Sequence, residues 1–206
     1  MNLSKLIEFL LLSMHYELAK EKKENYKKLS SLIYEDKDKM RKDFYKKKTV
    51  IQKLFFFEAK HHNYCKKCKN KDNKYYRIYC LLEFQLDIIK GEITINNLLD
   101  SLSQKKECEI CNKQSFREEI KLNSCPLYLI IVIKNNNNNF KDYFKLTDKI
   151  DLKNYVTEEN HDSNEYELVS FIKNPPIEEE NKKGIIFCKS PVNNEWYKYK
   201  GIKIEK

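Results

Sequence analysis

Two cysteine pairs, Cys65 with Cys68 in "YCKKCKN" and Cys108 with Cys111 in "CEIC", constrain the fold of this chain more than any other feature. Each is a CxxC, a spacing that lets a tight turn aim two thiolates at one point. Two such turns supply the four sulfurs that zinc takes in closed structural sites. Cys65, Cys68, Cys108 and Cys111 are therefore the expected metal ligands, with zinc as the cofactor. A site closed by four thiolates has no open position for water or substrate, so the metal is expected to hold shape and do no chemistry. His61 and His62 precede the first pair, but adjacent histidines in a lysine-rich stretch are expected to face solvent. Cys80 and Cys125 fall in strand patterns and are expected to be core thiols.

Seven cysteines, an odd number built around two CxxC pairs, suit a reducing compartment, so an intracellular protein, cytoplasmic or nuclear, is expected. The formal charge of +9 over 206 residues would ordinarily suggest a polyanionic partner. Only Arg41, Arg77 and Arg117 are arginines, however, and lysine lacks the bidentate fork that reads guanine and phosphate. Nucleic acid is accordingly not the expected partner, although a basic zinc-ribbon-like nucleic-acid binder remains an alternative. The apolar "LIEFLLLSM" is interrupted by Glu8, has no small-residue cleavage site after it and is too short to span a bilayer. No membrane association is expected.

Periodicity supplies the elements. Leu3, Leu6, Ile7, Leu10, Leu11, Met14 and Leu18 recur at spacings of three and four, which predicts a helix over 3–18 with that stripe as its apolar face. From Lys20 to Lys48 charge dominates, with Leu32, Ile33, Met40 and Phe44 scattered through it. A charged helix or mobile insertion of little function is expected there. Tyr76, Ile78, Cys80, Leu82, Phe84, Leu86 and Ile88 alternate with polar residues and predict one long, half-buried strand. Gly91 ends it, and Thr94 is placed to cap a short helix carrying Ile95, Leu98, Leu99 and Leu102. "SFREEIKL" reads as a strand, and "CPLYLIIVIK" over 125–134 as one covered on both faces at the centre of the core. Asn135 to Asn139 read as loop, and "EYELVSFIK", "GIIFCKS" and "EWYKYKGIKI" as later strands. The expected class is α+β, with an antiparallel sheet, a metal-clipped hairpin and an N-terminal helix.

In this order the elements resemble the C-terminal two-thirds of the ubiquitin-specific protease catalytic domain. "SKLIEFLLLSMHYEL" over 4–18 is similar to that family's "QEFL…LL…LHEEL" helix, with Leu6, Phe9, Leu10, Leu11 and His15 in corresponding places. "TVIQKLFFFEAKHHNYCKKC" resembles the small helix and "LF" pair before the first CxxC. "FQLDI" and "TINNLLDSL" resemble the "LSLDI" strand and the helix after it, and "CPLYLIIVIK" resembles "LPxxLIIHLKRF" with asparagines in place of Arg-Phe. "KIDLKNYV", "YELVSFIKN" and "GIIFCKSPVNNEWYKYKGIKI" follow in family order. The resemblance implies a truncated cysteine-protease fold. Residues 1–48 would be the N-terminal helix and a thumb remnant, and 49–206 zinc-clipped β fingers (around 61–120) and an antiparallel β palm (mainly 121–206).

In that family a cysteine in a "GNTCY" box attacks the isopeptide carbonyl, a histidine takes its proton, and Asp or Asn orients the imidazole. The box lies upstream of the region matching residues 4–18, so the chain is expected to begin after it. Aligning "GIIFCK" to the second half of "GHYxAYxK" puts Lys183 at the histidine position, and aligning "WYKYKG" to "WxxFDD" puts Lys200 and Gly201 at the aspartates. No histidine follows His161, no aspartate follows Asp162, and neither Asp nor Asn follows Trp196. A charged lysine cannot deprotonate a thiol as imidazole does. No catalytic residue is therefore expected, and the domain reads as an inactive relative that serves as a ubiquitin-binding or protein-interaction scaffold. The alternative from the enzyme class is the C-terminal part of an active or split ubiquitin carboxyl-terminal hydrolase. Ubiquitin's face and tail are basic in family complexes, so a +9 chain is expected to bind it weakly unless acids cluster locally. Glu118, Glu119, Asp148, Asp151, Glu158 and Glu159 are the candidates for such a cluster, with solvated surface as their simpler role. A palm without most of its thumb is expected to expose apolar surface and so favour a partner or a homo-oligomer.

Overall fold

The computed structural model describes residues 3–20, 32–46, 48–68, 72–85, 93–134, 144–158, 164–173, 184–200 and 203–205. Helix α1 (Leu3–Leu18) forms where periodicity predicts it but turns a different face inward. Leu12, His15 and Tyr16 are buried, whereas Leu3, Leu10, Met14 and Leu18 of the predicted core stripe are 41–54% exposed. The helix is apolar around most of its circumference, so spacing alone does not choose the buried side. His15 chooses it: its ring stacks on Phe44 with centroids 4.9 Å apart, and Nδ1 lies 2.8 Å from the Thr49 hydroxyl.

Strand β1 (Ile33–Tyr34) and helices α2 (Lys37–Phe44) and α3 (Val50–Phe55) come next. Asp36 caps α2 by accepting from the amides of Asp38 and Lys39, and the Thr49 hydroxyl caps α3 by accepting from the Gln52 amide. The lysine-rich stretch contributes more than its composition suggested. Leu32, Met40 and Phe44 join Leu12, Tyr16, Ile51, Phe56, Ile78 and Cys80 in a first core. Met40 and Phe44 stand four residues apart, so even a short charged helix gives them one shared face. Residues 21–31 of that stretch lie outside the described residues.

The remaining elements are β2 (Phe57–Cys65), β3 (Asn73–Tyr79), β4 (Leu82–Gln85), β5 (Ile93–Thr94), α4 (Ile95–Asp100), β6 (Ser103–Lys106), β7 (Phe116–Leu122), β8 (Ile131–Lys134), β9 (Phe144–Lys145), β10 (Lys149–Asp151), a 3-10 turn at Lys153–Tyr155, β11 (Glu165–Glu167), β12 (Ser170–Lys173), β13 (Ile185–Lys189), β14 (Trp196–Lys200) and β15 (Lys203–Glu205). The fold mixes α and β, with antiparallel sheets and few helices. One sheet runs β1-β3-β2-β7-β6, antiparallel throughout, and another runs β12-β13-β14-β15, also antiparallel. β4 and β8 pair in parallel.

Two strand predictions change in the folded chain. The strand expected over 76–88 breaks at Cys80 and Leu81 into β3 and β4, which belong to different sheets, and 86–88 lie outside the described residues. Its alternation persists because each half is buried, Ile78 and Cys80 in the first core and Leu82 and Phe84 in a second. "CPLYLIIVIK" is not the centre of the core. Only Ile131–Lys134 is strand, and Leu127 and Tyr128 are 58% and 52% exposed. Pro126 offers no amide to a ladder, and the Tyr128 amide donates to the Leu54 carbonyl at 2.8 Å, so the run wraps the end of α3 first. The second core forms around Phe57, Leu82, Phe84, Ile95, Leu98, Leu99, Leu122 and Leu152. Helix α4 presents its leucines there from the predicted Thr94 cap, which is a reciprocal capping box with Asn97.

Consecutive residues join the two cores, Phe56 in the first and Phe57 in the second. Glu58, next in line and buried, fastens the junction. Its carboxylate accepts from Arg41 Nε at 3.1 Å and Asn123 Nδ2 at 2.6 Å, and its amide donates to the Ser124 hydroxyl at 3.0 Å. The four-stranded sheet is different: among the described residues it gives no side chain to either core. Register places Ile172, Ile186, Tyr199 and Ile204 in one row across it, on the same face as Ser170, Cys188 and Tyr197. Among the described residues that face carries no Lys, Arg, Asp or Glu, and its three isoleucines are 41–63% exposed.

Leu98→Ala is expected to lower unfolding stability by about 2–5 kcal/mol, whereas Leu127→Ala should change it by less than about 0.5 kcal/mol. Urea denaturation of the two variants checks which apolar run forms the core.

Candidate metal centre

Strand pairing brings the two CxxC turns together. Cys65 ends β2 opposite Phe116 of β7, and Lys106 ends β6 opposite the same residue. The turn after β2 therefore meets the connection between β6 and β7 at one end of the five-stranded sheet. In that connection the Cys108 amide donates to Lys113 O at 2.9 Å and the Asn112 amide to Cys108 O at 2.7 Å. Asn112 closes the turn in the left-handed region, φ 48°, which asparagine tolerates better than most residues. The Lys66 amide donates to Ser115 O at 3.0 Å and ties the two turns to each other.

The sequence-predicted ligands Cys65, Cys68, Cys108 and Cys111 converge, their Sγ atoms all within 4.8 Å of one another. Cys65 Sγ lies 3.7 Å from Cys111 Sγ, and Cys68 Sγ lies 3.7 Å from Cys108 Sγ. A tetrahedron of metal–sulfur bonds about 2.3 Å long has edges of about 3.8 Å, so the set is sized to hold one ion. Among the described residues no other group of three or more His, Cys, Asp or Glu side chains gathers in this way. The turns also favour the thiolate, the form that binds metal. Cys65 is lowered from 9.0 to about 6, first by the backbone amide of Cys68 and then by the Ser115 hydroxyl 3.0 Å from its sulfur. Cys108 is lowered too, first by the amide of Cys111 and then by that of Ile110.

Ser115 is the residue that sequence reasoning missed. Besides Cys65 it lies 3.6 Å from Cys111 Sγ, bridging the two turns, yet a lone serine four residues after a cysteine carries no periodic signal. His61 is a correction, since it is buried rather than solvent-facing. Its ring stacks on Tyr75 with centroids 4.6 Å apart and approaches the Tyr79 hydroxyl at 2.7 Å, and burial first, then Arg77, lowers its pKa to about 4. It sits on the central strand of its sheet, where every second side chain is covered whatever its polarity. His62, one residue on, emerges on the other side, half-buried, and pairs with Asp72 at 2.8 Å. Neither histidine belongs to the cysteine cluster. Cys80 is buried as expected, and Cys125 is half-buried against the second core.

Three of the described candidate acidic residues have local partners. Glu118 pairs with Lys106 at 2.6 Å, Glu119 accepts from the Tyr64 hydroxyl at 2.8 Å, and Asp151 accepts from the Lys153 amide at 2.8 Å. Asp148 and Glu158 are exposed, and Glu159 lies outside the described residues. His161, Asp162, Lys183 and Gly201 also lie outside them. Lys200 is exposed at the end of β14, opposite Lys203.

The family model for ubiquitin carboxyl-terminal hydrolase matches residues 2–206. No curated protein sequence matches the chain significantly. Among solved structures, a chain of the SAGA Ubp8/Sgf11/Sus1/Sgf73 DUB module superposes with TM-score 0.65 at 14% identity, covering 98% of this chain and 42% of that one. A chain of the same module bound to ubiquitin aldehyde gives TM-score 0.59 at 18% identity, with 82% and 43% covered. The yeast SAGA DUBm with an Sgf73 point mutant gives 0.61 at 17%, with 82% and 41% covered. At these identities the likeness establishes the fold, and the chain spans about two-fifths of the length of those structures.

Purified protein is expected to hold one divalent ion per chain, and Cys108→Ser or a strong chelator should lower the melting temperature and release it. In the metal-free protein, because folding lowers the Cys65 pKa from 9.0 to about 6, the thiolate's stabilisation is complete above pH 9 and is lost as pH falls through about 6. Metal analysis and melting curves between pH 5 and 9 check both statements.

Proposed function

This chain belongs to the ubiquitin carboxyl-terminal hydrolase family, and from that premise we propose that it is a catalytically silent member serving as a protein-interaction scaffold. The observation that carries the proposal is the pair of lysines, Lys183 and Lys200, where the family motifs have the histidine base and its carboxylate partner. Without an imidazole at that strand no group takes the proton of an attacking thiol, and a nucleophile supplied from elsewhere would still lack its base. The cysteine set takes zinc, whose role is to clip the end of the β fingers, and the four-stranded sheet corresponds to the palm. We keep the division into residues 1–48, the helix and thumb remnant, and 49–206, fingers and palm.

Ubiquitin is the first partner to test, since one fold relative has been captured with ubiquitin aldehyde and another with monoubiquitin. Binding should be weak, because the net charge of +9 repels ubiquitin's basic tail and, among the described candidate acids, Glu118 is engaged by Lys106 and Glu119 by Tyr64. The outer stripe of α1, with Phe9, Leu10 and Met14 48–62% exposed, suits another protein or a second copy. Seven cysteines, an odd number built around two CxxC pairs, support an intracellular setting. Among the described residues no helix is long and apolar enough to cross a membrane.

Hydrolysis of a fluorogenic ubiquitin conjugate is expected to stay at the buffer rate. Titration of isotope-labelled ubiquitin should give small saturable NMR shifts that fade with salt. Turnover abolished by a thiol alkylator would overturn the silent reading in favour of an active or split hydrolase.

A further inference from the structure

The face of the four-stranded sheet opposite its isoleucine row has an unusual composition. Register places Phe171, Phe187, Lys198 and Glu205 in one row across β12, β13, β14 and β15. Lys173 with Ile185, Lys189 with Trp196, and Lys200 with Lys203 are further pairs on the same face. Phe171 and Phe187 stack with centroids 4.5 Å apart and planes 8° from parallel, and Trp196 leans on Phe171 at 5.8 Å. None of the three packs against either core among the described residues, so they shield mainly one another. Around this aromatic ridge stand five lysines, of which Lys173, Lys200 and Lys203 are exposed and Lys189 pairs with Glu167. Positive charge thus surrounds an apolar centre, the layout of an interface with a polar rim.

We propose that this face is a docking surface for an acidic polypeptide segment, one that alternates carboxylates with apolar side chains. Charge complementarity names the occupant: carboxylates meet Lys173, Lys200 and Lys203 at the rim while apolar side chains cover Phe187 and Trp196. Single-stranded nucleic acid fits less well. Phe171 and Phe187 each commit one ring face to the other, which halves what they offer for stacking bases, and lysine makes no bidentate phosphate contact. The same lysines disfavour a basic tail here. The inference rests on the scaffold reading only in that this face does no catalysis, and ubiquitin-conjugate hydrolysis in the same samples reports on that point separately.

Trp196 is the only tryptophan of the chain, so its emission reports on this face directly. The probes are a peptide repeating Glu-Glu-Leu, its Lys-Lys-Leu counterpart and oligothymidylate, each titrated into the full chain. The acidic peptide is expected to shift Trp196 emission saturably, with affinity falling as salt screens the rim beyond a Debye length of about 8 Å. Lys200→Glu with Lys203→Glu should weaken it about tenfold at unchanged melting temperature, and Lys173→Glu on the opposite edge should act in the same direction. The same charge change on α2, Lys39→Glu with Lys42→Glu, should leave it unaltered. No saturable shift, equal affinity in the rim variant, or tighter binding of oligothymidylate or the basic peptide would overturn the proposal.

Discussion

Strand β2 is the constraint on which the rest of the chain depends. It is the central strand of its sheet, bonded along one edge to β3 and along the other to β7, so its backbone amides and carbonyls are satisfied on both sides. Its first residue, Phe57, lies in the second core, while Phe56 before it lies in the first. Its last residue, Cys65, is a member of the sulfur cluster. A strand fixed at both ends and along both edges has one available register. A slip by one residue would invert every side chain, expel Phe57 and carry Cys65 away from Cys111.

The two ends of β2 are held by different physics. At Phe57 and Glu58, apolar burial is combined with a buried carboxylate whose oxygens are met by Arg41 and Asn123. Such a group adds little net stability, but it leaves few alternative packings, because removing any partner strands a charge in an apolar setting. At Cys65 there is little core to bury, and the sheet end is held by sulfurs and by amides aimed at them. Four thiolates without an ion would repel one another, so a metal bound there would hold this end of the sheet in a way the cores do not need.

The four-stranded sheet stands apart. Period-two sequence patterns ordinarily give one buried and one wet face. Among the described residues one face here is uncharged and the other is aromatic with a lysine rim, and neither enters a core.

The sequence by itself determined the four-cysteine set, the α+β class, the Thr94 cap and the family. CxxC spacing, helix caps and motif order are local or sequential properties, and folding does not rewrite them. It also fixed the absence of a histidine after His161, on which the silent reading rests. Tertiary structure decided the rest, because several local patterns had more than one way to be buried. α1 is apolar nearly all round, and the stack of His15 on Phe44 chose its inner face. His61 looked like a surface residue among lysines until β3 and β7 closed over its strand. The strongest apolar run, over 125–134, yielded the core to scattered leucines at 98, 99, 122 and 152. Burial is settled by which neighbours arrive from distant parts of the chain, and no window of sequence contains them.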